Sequence, residues 1–419
     1  MKVVVIAIFI EGGKDMNDIS IEMFPALSGD SFLITCYGEK NRYILVDFGY
    51  KTTYRNHLKN RLKELELTGN AIELAIITHI DRDHINGALP FFEENGCLEN
   101  PSIIYVNDVW HNSFRHFQFA KREEGKISEC ERNILEEVLL EGYPEEENDN
   151  VIERDEEISA EDGTYLGALL VKGKYNWNRR AGGQAIQSEL PPMELADGIK
   201  LIILSPNKQK LELLESEWRD YIVNEGFITK ITDEEIFDDA FEYYLAKLKD
   251  NGAEFNEDVS DSLNIEELSR GCKFVEDKAI NNGSSISFIL EFREKKILFL
   301  GDSHPSVIEN KLKILYKEEN FPINFDAIKV SHHGSMNNTS PELLKLIDSE
   351  TYLISTNGKK HNHPDKETIA RIVNRKTKYV RNLYFNYNTN TAQEFNNKEF
   401  KEKYNYQIIT ELSPYSIDI

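Results

Sequence analysis

Cysteine is scarce: Cys36, Cys97, Cys130 and Cys272 are the only four in 419 residues, far apart and never in C-x-x-C spacing. That excludes a disulfide scaffold and a thiolate zinc site, and it fits a reducing compartment. Long apolar runs are missing as well. The best of them, residues 3–10 after Lys2, falls far short of the roughly 18 residues a membrane span needs, and Glu11, Gly12 and Gly13 end it. Its Val-Val-Val-Ile start is β-branched and no Ala-x-Ala cleavage site follows, so it reads as a strand rather than a signal segment. Basic residues are the third deficit. Forty-nine Lys and Arg against 73 Asp and Glu leave a formal charge of -24, which repels polyanions and anionic membranes unless positive charge is gathered locally. No internal repeat recurs at a fixed period.

What is present is the composition of a soluble globular chain, 40% hydrophobic, 29% charged and 11% aromatic. Collagen-like, low-complexity and globally disordered classes are excluded. The length suits two or three domains, or one large domain with insertions. Strands are expected at 19–24, 31–37, 42–48, 74–77 and 103–106, with a helix at 54–67 carrying Leu58, Leu62 and Leu65 at helical spacing. Region 110–200 is polar and weakly patterned, with a surface loop at 145–150. Residues 211–268 combine helical periodicity (Leu214, Trp218, Tyr221; Phe237, Phe241, Tyr244) with many carboxylates, the pattern of an acidic helical cap. Strands resume at 285–292, 296–300, 327–330, 352–355 and 379–385. Strands alternating with helices predict a layered α/β architecture.

Ten histidines are present, and setting aside His57, His111 and His116, the other seven fall into four short segments. The first, His79-Ile-Asp81-Arg-Asp83-His84, directly follows an apolar strand. A loop leaving the sheet there would aim His79 and Asp81 at one metal ion and Asp83 and His84 at its neighbour. In the second, Gly301-Asp302-Ser303-His304, a strand delivers a carboxylate at its end. In the third, Gly334 after His332-His333 permits a tight turn that points an imidazole at the sheet edge. The fourth, around His361 and His363, offers a further ligand or an acid.

These segments, with Ile21–Ala26, Gly29-Asp30-Ser31, Leu45–Gly49, Asn281–Ser285 and His363-Pro364, resemble a metallo-β-lactamase-fold hydrolase, most similar to the ComEC-like branch. The resemblance implies a four-layer αββα sandwich: the first half of the core in 1–210, with a polar insertion at about 110–200, an acidic helical insertion at 211–270, and the second half in 271–419. It implies two divalent metal ions, zinc or manganese, held by His79, Asp81, Asp83 and His84, with Asp302 bridging and His333 or His332 as the last histidine ligand. Asp81 stands where the commoner pattern has a second histidine, and between His84 and Asp302 no histidine occupies a motif position. Asn281 or Asn282 is the better positional candidate there. Such oxygen-rich ligation shifts the expectation from zinc toward manganese.

Two divalent ions suit in-line displacement at phosphorus. Asp83 is then expected to orient the nucleophile and take its proton, and His363, or whichever histidine of the 332–333 pair is unligated, to protonate the leaving group. Ser335, with Asn337 and Asn338, and Asn282 are the candidate substrate-binding residues. The resemblance thus implies a stand-alone, cytoplasmic phosphodiesterase or nuclease acting on nucleic acid or a nucleotide phosphodiester. Its charge requires a local basic channel for a polynucleotide, offered by Lys172, Lys174, Arg179 and Arg180 with Tyr175 and Trp177, or by Arg371, Arg375, Lys376, Lys378 and Arg381; a small nucleotide needs fewer cations. The alternatives are hydrolysis of a lactone, thioester or lactam at the same centre, or a regulatory module of a defence system that recruits a protein partner through the acidic helices.

Overall fold

A computed structural model describes residues 18–118, 126–140, 165–224, 234, 236–247, 263–271, 273–410 and 416–419. The expected strand at 3–10 and the loop at 145–150 lie outside the described residues.

The first sheet is built from β1 (Ile19–Met23), β2 (Phe32–Cys36), β3 (Arg42–Val46), β4 (Ile72–Ile76) and β5 (Val109–Trp110), in that order. The first three run antiparallel, and β3, β4 and β5 run parallel. The second sheet takes β6 (Met193–Glu194), β7 (Lys200–Ser205), β8 (Ser287–Phe292) and β9 (Lys295–Phe299). A short side pair, β10 (Ile323–Phe325) and β12 (Ile347–Ser349), flanks β11 (Ala327–Lys329). With β13 (Thr351–Ile354), β14 (Arg381–Phe385) and β15 (Tyr406–Ile409), the second sheet runs β15-β14-β13-β11-β9-β8-β7-β6, and β9 to β15 are parallel. The last strand, β16 (Ser416–Asp418), returns to the first sheet beside β1.

Alternation along the strands sorts side chains into three cores. Leu33, Leu45 and Ala75 face a helical layer that holds Tyr54, Leu58, Leu62 and Phe91. Their neighbours Ile34, Ile44 and Ile76 face the second sheet, where Leu201, Ile203, Phe288 and Phe299 meet them. Ile202, Ile289 and Leu298 turn outward onto Ile308, Leu312, Ile369 and Ile372. Strands covered on both faces carry continuous apolar runs such as Leu201-Ile-Ile-Leu204, and each fully buried Leu or Ile contributes about 1.5–3 kcal/mol. The Phe32 and Phe299 rings meet edge to face across the sheets at 5.4 Å. Helix, sheet, sheet and helix therefore stack in four layers, as expected.

The expected strand at 103–106 does not form; only Val106 bridges to Ile72. The Asn95 side chain accepts from the backbone N–H of Ile103 and Ile104 and donates to the Ile104 carbonyl, taking the bonds a strand partner would have made. Strand β7, which no expectation included, sits between two stretches read as insertions. Its neighbour β8 is antiparallel, and the connection between them carries the helices Lys208–Asn224, Ile236–Lys247 and Ile265–Arg270. The first two bury Leu214, Trp218, Ile222, Phe237 and Phe241 in the core that also holds Phe114, Leu166 and Leu170. Not all of their acidic residues face outward: Asp238 and Glu242 are buried, the first against Ser113 and Arg115 and the second 2.9 Å from His111 Nε2.

Candidate metal centre

Parallel strands place their carboxyl ends together, and here two sheets do so at one edge. The chain leaves β3 at Asp47, whose φ is 58°, and leaves β4 through Thr78 and His79. The short helix Arg82–Ile85 follows, with Asp81 as its N-cap residue. From the second sheet come Asp302 after β9 and His332-His333 after β11, the two histidines at φ 45° and 54°. Left-handed backbone in residues other than glycine costs on the order of 1 kcal/mol each and gathers at functional turns. The two edges are sewn together by Ile286 N–H to the Thr78 carbonyl at 2.9 Å and by Ser355 Oγ to the Gly29 carbonyl at 2.6 Å. Gly29 is required for this approach, since a Cβ there would lie 1.9 Å from the Asp83 carbonyl oxygen.

Four imidazoles converge on one carboxylate oxygen. Asp302 Oδ2 lies 3.3 Å from His84 Nε2, 3.5 Å from His333 Nε2, and 3.8 Å from both His79 Nε2 and His332 Nε2. Each ring is fixed from behind. His84 Nδ1 donates to Asp47 Oδ2 at 2.8 Å, and His333 Nδ1 donates to the Ser355 carbonyl at 2.9 Å. Thr78 Oγ1 gives its hydrogen to Asp47 Oδ2 at 2.8 Å and so accepts from His79 Nδ1 at 3.0 Å. Asn338 spends its amide hydrogens on Asp277 and the Asp302 carbonyl, which leaves its oxygen to accept from His332 Nδ1 at 3.0 Å. Every ring is thereby held with Nδ1–H outward and Nε2 toward Asp302, the arrangement that second-shell acceptors impose on metal-ligating histidines.

Buried polar atoms test whether a cation fits. Nε2 of His79, His84 and His333 are buried with no hydrogen-bond partner, a state that buried polar groups rarely keep. Two triplets, His79 with His84 and Asp302, and Asp83 with His84 and His333, each offer ligand atoms within 4.8 Å of one another. The residues fit divalent cations. Burial alone would raise the Asp302 carboxyl, but the charges of His84, His333, His332 and Lys329 hold it well below the carboxylate range. Burial would push His84 and His333 down; Asp302 and Asp47 hold His84 well above its ordinary value, and Asp302 and Asp30 hold His333 at about 10.

Most of the expected residues meet here. Asp81 lies 3.5 Å from His79 Nε2 and accepts from Asn281 Nδ2 at 2.8 Å. Asp83 lies 3.4 Å from His333 Nε2. The opening is lined by Ser28, Asp81, Asp83, Thr356, Lys360 and His363, among others. His363 is tied to Asp365 at 3.1 Å, and its ring centre is 5.4 Å from that of His332. Asn282 and Ser335 do not line the opening. Asn282 donates to Asp277 at 2.7 Å, and the Ser335 hydroxyl accepts from the Asn337 N–H within its own turn. His304 faces away, between Lys210 and the Ala279 carbonyl.

Asp30, Asp47 and Lys329 were given no role from sequence, although a signal existed for each. Asp47, like Asp302, ends an apolar strand. Asp30 stands in one of the motif segments. Lys329 is a charge inside the apolar run Ala327-Ile-Lys-Val330, and such a charge has to be paired.

Both basic runs are split between interior and surface, with Lys172, Lys174, Arg179, Lys376 and Lys378 exposed. Arg381 is fully buried and, with Arg375, grips Asp348, while Arg371 donates to the carbonyls of Met336 and Thr339. In the other run Arg180 pairs with Glu73 at 2.7 Å and Tyr175 is buried beside Asn95.

Residues 25–167 match the family model of the Metallo-beta-lactamase superfamily. That stretch holds His79, Asp81, Asp83 and His84 and stops well before Asp302. Members of the superfamily are mostly metal-dependent hydrolases, and the fold typically binds divalent metals, often zinc. No curated protein matches the chain. Among solved structures, the metallo-beta-lactamase fold protein YhfI from Bacillus subtilis is similar over 95% of this chain and 99% of its own, at 8% identity and a TM-score of 0.35. The fold itself is the α/β metallo-β-lactamase sandwich, as its layers and the family model agree.

Proposed function

We propose that the protein is a metal-dependent phosphodiesterase of the ComEC-like kind, acting on a short phosphodiester such as a nucleotide. The observation that carries this reading is the convergence of four fixed Nε2 atoms on Asp302 Oδ2 in an opening that Asp83, Lys360 and His363 border. His79, Asp81 and Asp302 would hold one divalent cation, and Asp83, His84, Asp302 and His333 the other, zinc or manganese. Bound there, such ions supply Lewis acidity and a nucleophile at neutral pH.

The chain's own groups do the rest. The Asp83 carboxylate faces the opening, where it would orient the attacking group and receive its proton. His363 lines the opening with Nδ1 tied to Asp365, and its other nitrogen would return a proton to the leaving oxygen. Lys360 brings a cation to the rim of an otherwise acidic site, which suits the negative oxygens of a phosphodiester better than a neutral ester or lactam. Arg180, Arg371, Arg375 and Arg381 are committed to internal partners, and this favours a short substrate over a polynucleotide.

The test is purified protein with added manganese or zinc, assayed on an activated phosphodiester and on an activated carboxylic ester, with Asp302→Asn as control. Diester turnover that the control lacks is expected. Ester turnover without diester turnover would reject the phosphodiester reading, and a protein that takes up neither metal would reject the hydrolase reading altogether.

A further inference from the structure

Asp302 has two carboxylate oxygens, and the fold treats them differently. Oδ2 faces the four imidazoles. Oδ1 faces Lys329, whose ammonium stands 3.5 Å away, donates to the Gly301 carbonyl at 3.2 Å and makes a close ion pair with Asp30 Oδ2. The Lys329 side chain is 1% exposed and the Asp30 and Asp302 side chains 2% each, so the three charges sit in the protein interior beneath the opening. Lysine is rarely buried unless paired, and a strand that is otherwise Ala, Ile and Val would pack a leucine or methionine at this position at lower cost.

From this division of the carboxylate we infer that Lys329 is a positioning residue of the metal centre: its ion pair with Asp302 Oδ1 at 3.5 Å draws that oxygen toward the interior and would leave Oδ2 as the oxygen turned to the cations. A carboxylate with both oxygens open can close on one divalent ion as a bidentate ligand. With Oδ1 ion-paired to a buried ammonium, that mode would be disfavoured, and Oδ2 would be the oxygen available to the His79 side and the His333 side. Asp30 anchors the ammonium from behind. Backbone contacts hold the rest of the residue, since Asp302 N–H donates to Ser285 Oγ at 3.0 Å and its carbonyl accepts from Asn338 at 3.1 Å. Only the carboxylate is left for Lys329 to set.

This inference rests on the proposed metal centre, and the test separates the two. Lys329→Met alone would leave Asp30 buried without its partner and risk the fold, so the informative variant is Asp30→Asn with Lys329→Met, which removes both charges. Apoprotein of the wild type and of the double variant is titrated calorimetrically with Mn²⁺ and with Zn²⁺, the melting temperature is recorded for each, and the manganese-loaded forms are compared by electron paramagnetic resonance. The wild type is expected to bind two ions and to give the spectrum of a spin-coupled manganese pair. The double variant is expected to fold, to bind its second ion at least tenfold more weakly, and to show the six-line signal of isolated Mn²⁺. Unchanged affinities and a retained coupled spectrum would overturn the role of Lys329 and leave the metal centre standing. Failure of the double variant to fold would assign the pair to the scaffold and overturn it as well. A wild type that binds no divalent ion would remove the centre itself, and the inference with it.

Discussion

Replacing Asp47 by Asn is the sharpest probe of how the centre is held. Asp47 is buried and its carboxylate accepts three bonds, from Thr78 N–H, Thr78 Oγ1 and His84 Nδ1, each at 2.8 Å. An asparagine of the same shape can keep the first through its oxygen, but its amide group then points two hydrogens at partners that are themselves donors. The least costly relief drops the His84 Nδ1 proton and leaves the ring's remaining proton on Nε2, where it faces Asp302 Oδ2 at 3.3 Å and blocks the position a cation would take. Bonds to a charged acceptor are worth about 1.5–3 kcal/mol each, so turning two of them around should destabilise the apoprotein by roughly 3 kcal/mol. Loss of an outer-shell partner typically weakens metal binding by about 10- to 100-fold, or roughly 1.4–2.7 kcal/mol. Competition with a chromophoric chelator measures the second number and thermal unfolding of the apoprotein the first. If Asp47→Asn folds normally and binds manganese and zinc within twofold of the wild type, the ring tautomers are not set from behind as described.

Three further outcomes are expected. Metal affinity should fall as the pH is lowered, because the protons that Asp302 and Asp30 hold on His333 up to about 10 must be displaced; calorimetry between pH 6 and 9 should show close to a tenfold loss per unit for each proton released. A flat profile would mean that the ring is not a ligand. Arg381→Met should cost about 3–5 kcal/mol by stranding the buried Asp348 carboxylate, seen in denaturant unfolding, and should leave metal affinity unchanged; weakened nucleic-acid binding at full stability would instead restore that run as a contact surface. Trp218→Ala should cost about 3–5 kcal/mol and lower the main unfolding transition, since Trp218 packs on Phe114 and Phe241 at ring distances of 6.0 and 5.7 Å. A separate early transition would show that the inserted helices fold apart from the sheet.

Patterns that repeat along the chain were legible from sequence. Strands such as 42–46 and 287–292 were legible because nothing but apolar residues fits buried positions such as 44–46 or 288–290, while β7, buried on both faces as well, went unread between two stretches taken as insertions; the candidate loops stood out because they follow such strands. Two other misreadings arose from side chains elsewhere in the chain. Asn95 satisfied the backbone of 103 and 104 and left no strand there. Arg381 looked like part of a basic surface because charge runs usually are surfaces, yet Asp348, 33 positions away, accepts from it at 2.6 Å in the interior.

The same consideration explains why the candidate ligands were easier to pick out than the residues that aim them. A ligand must be His or Asp next to a strand end, and both conditions are local. The partner that fixes a ring need only be an acceptor, and here the acceptors are as unlike as the carboxylate of Asp47, the hydroxyl of Thr78, the amide oxygen of Asn338 and the backbone carbonyl of Ser355. No residue-type pattern unites them. What they have in common is that each donates elsewhere, or has nothing to donate, so that each can only accept from Nδ1. That property belongs to the assembled network rather than to any position in the chain, and it is why four rings from two sheets present the same nitrogen to Asp302.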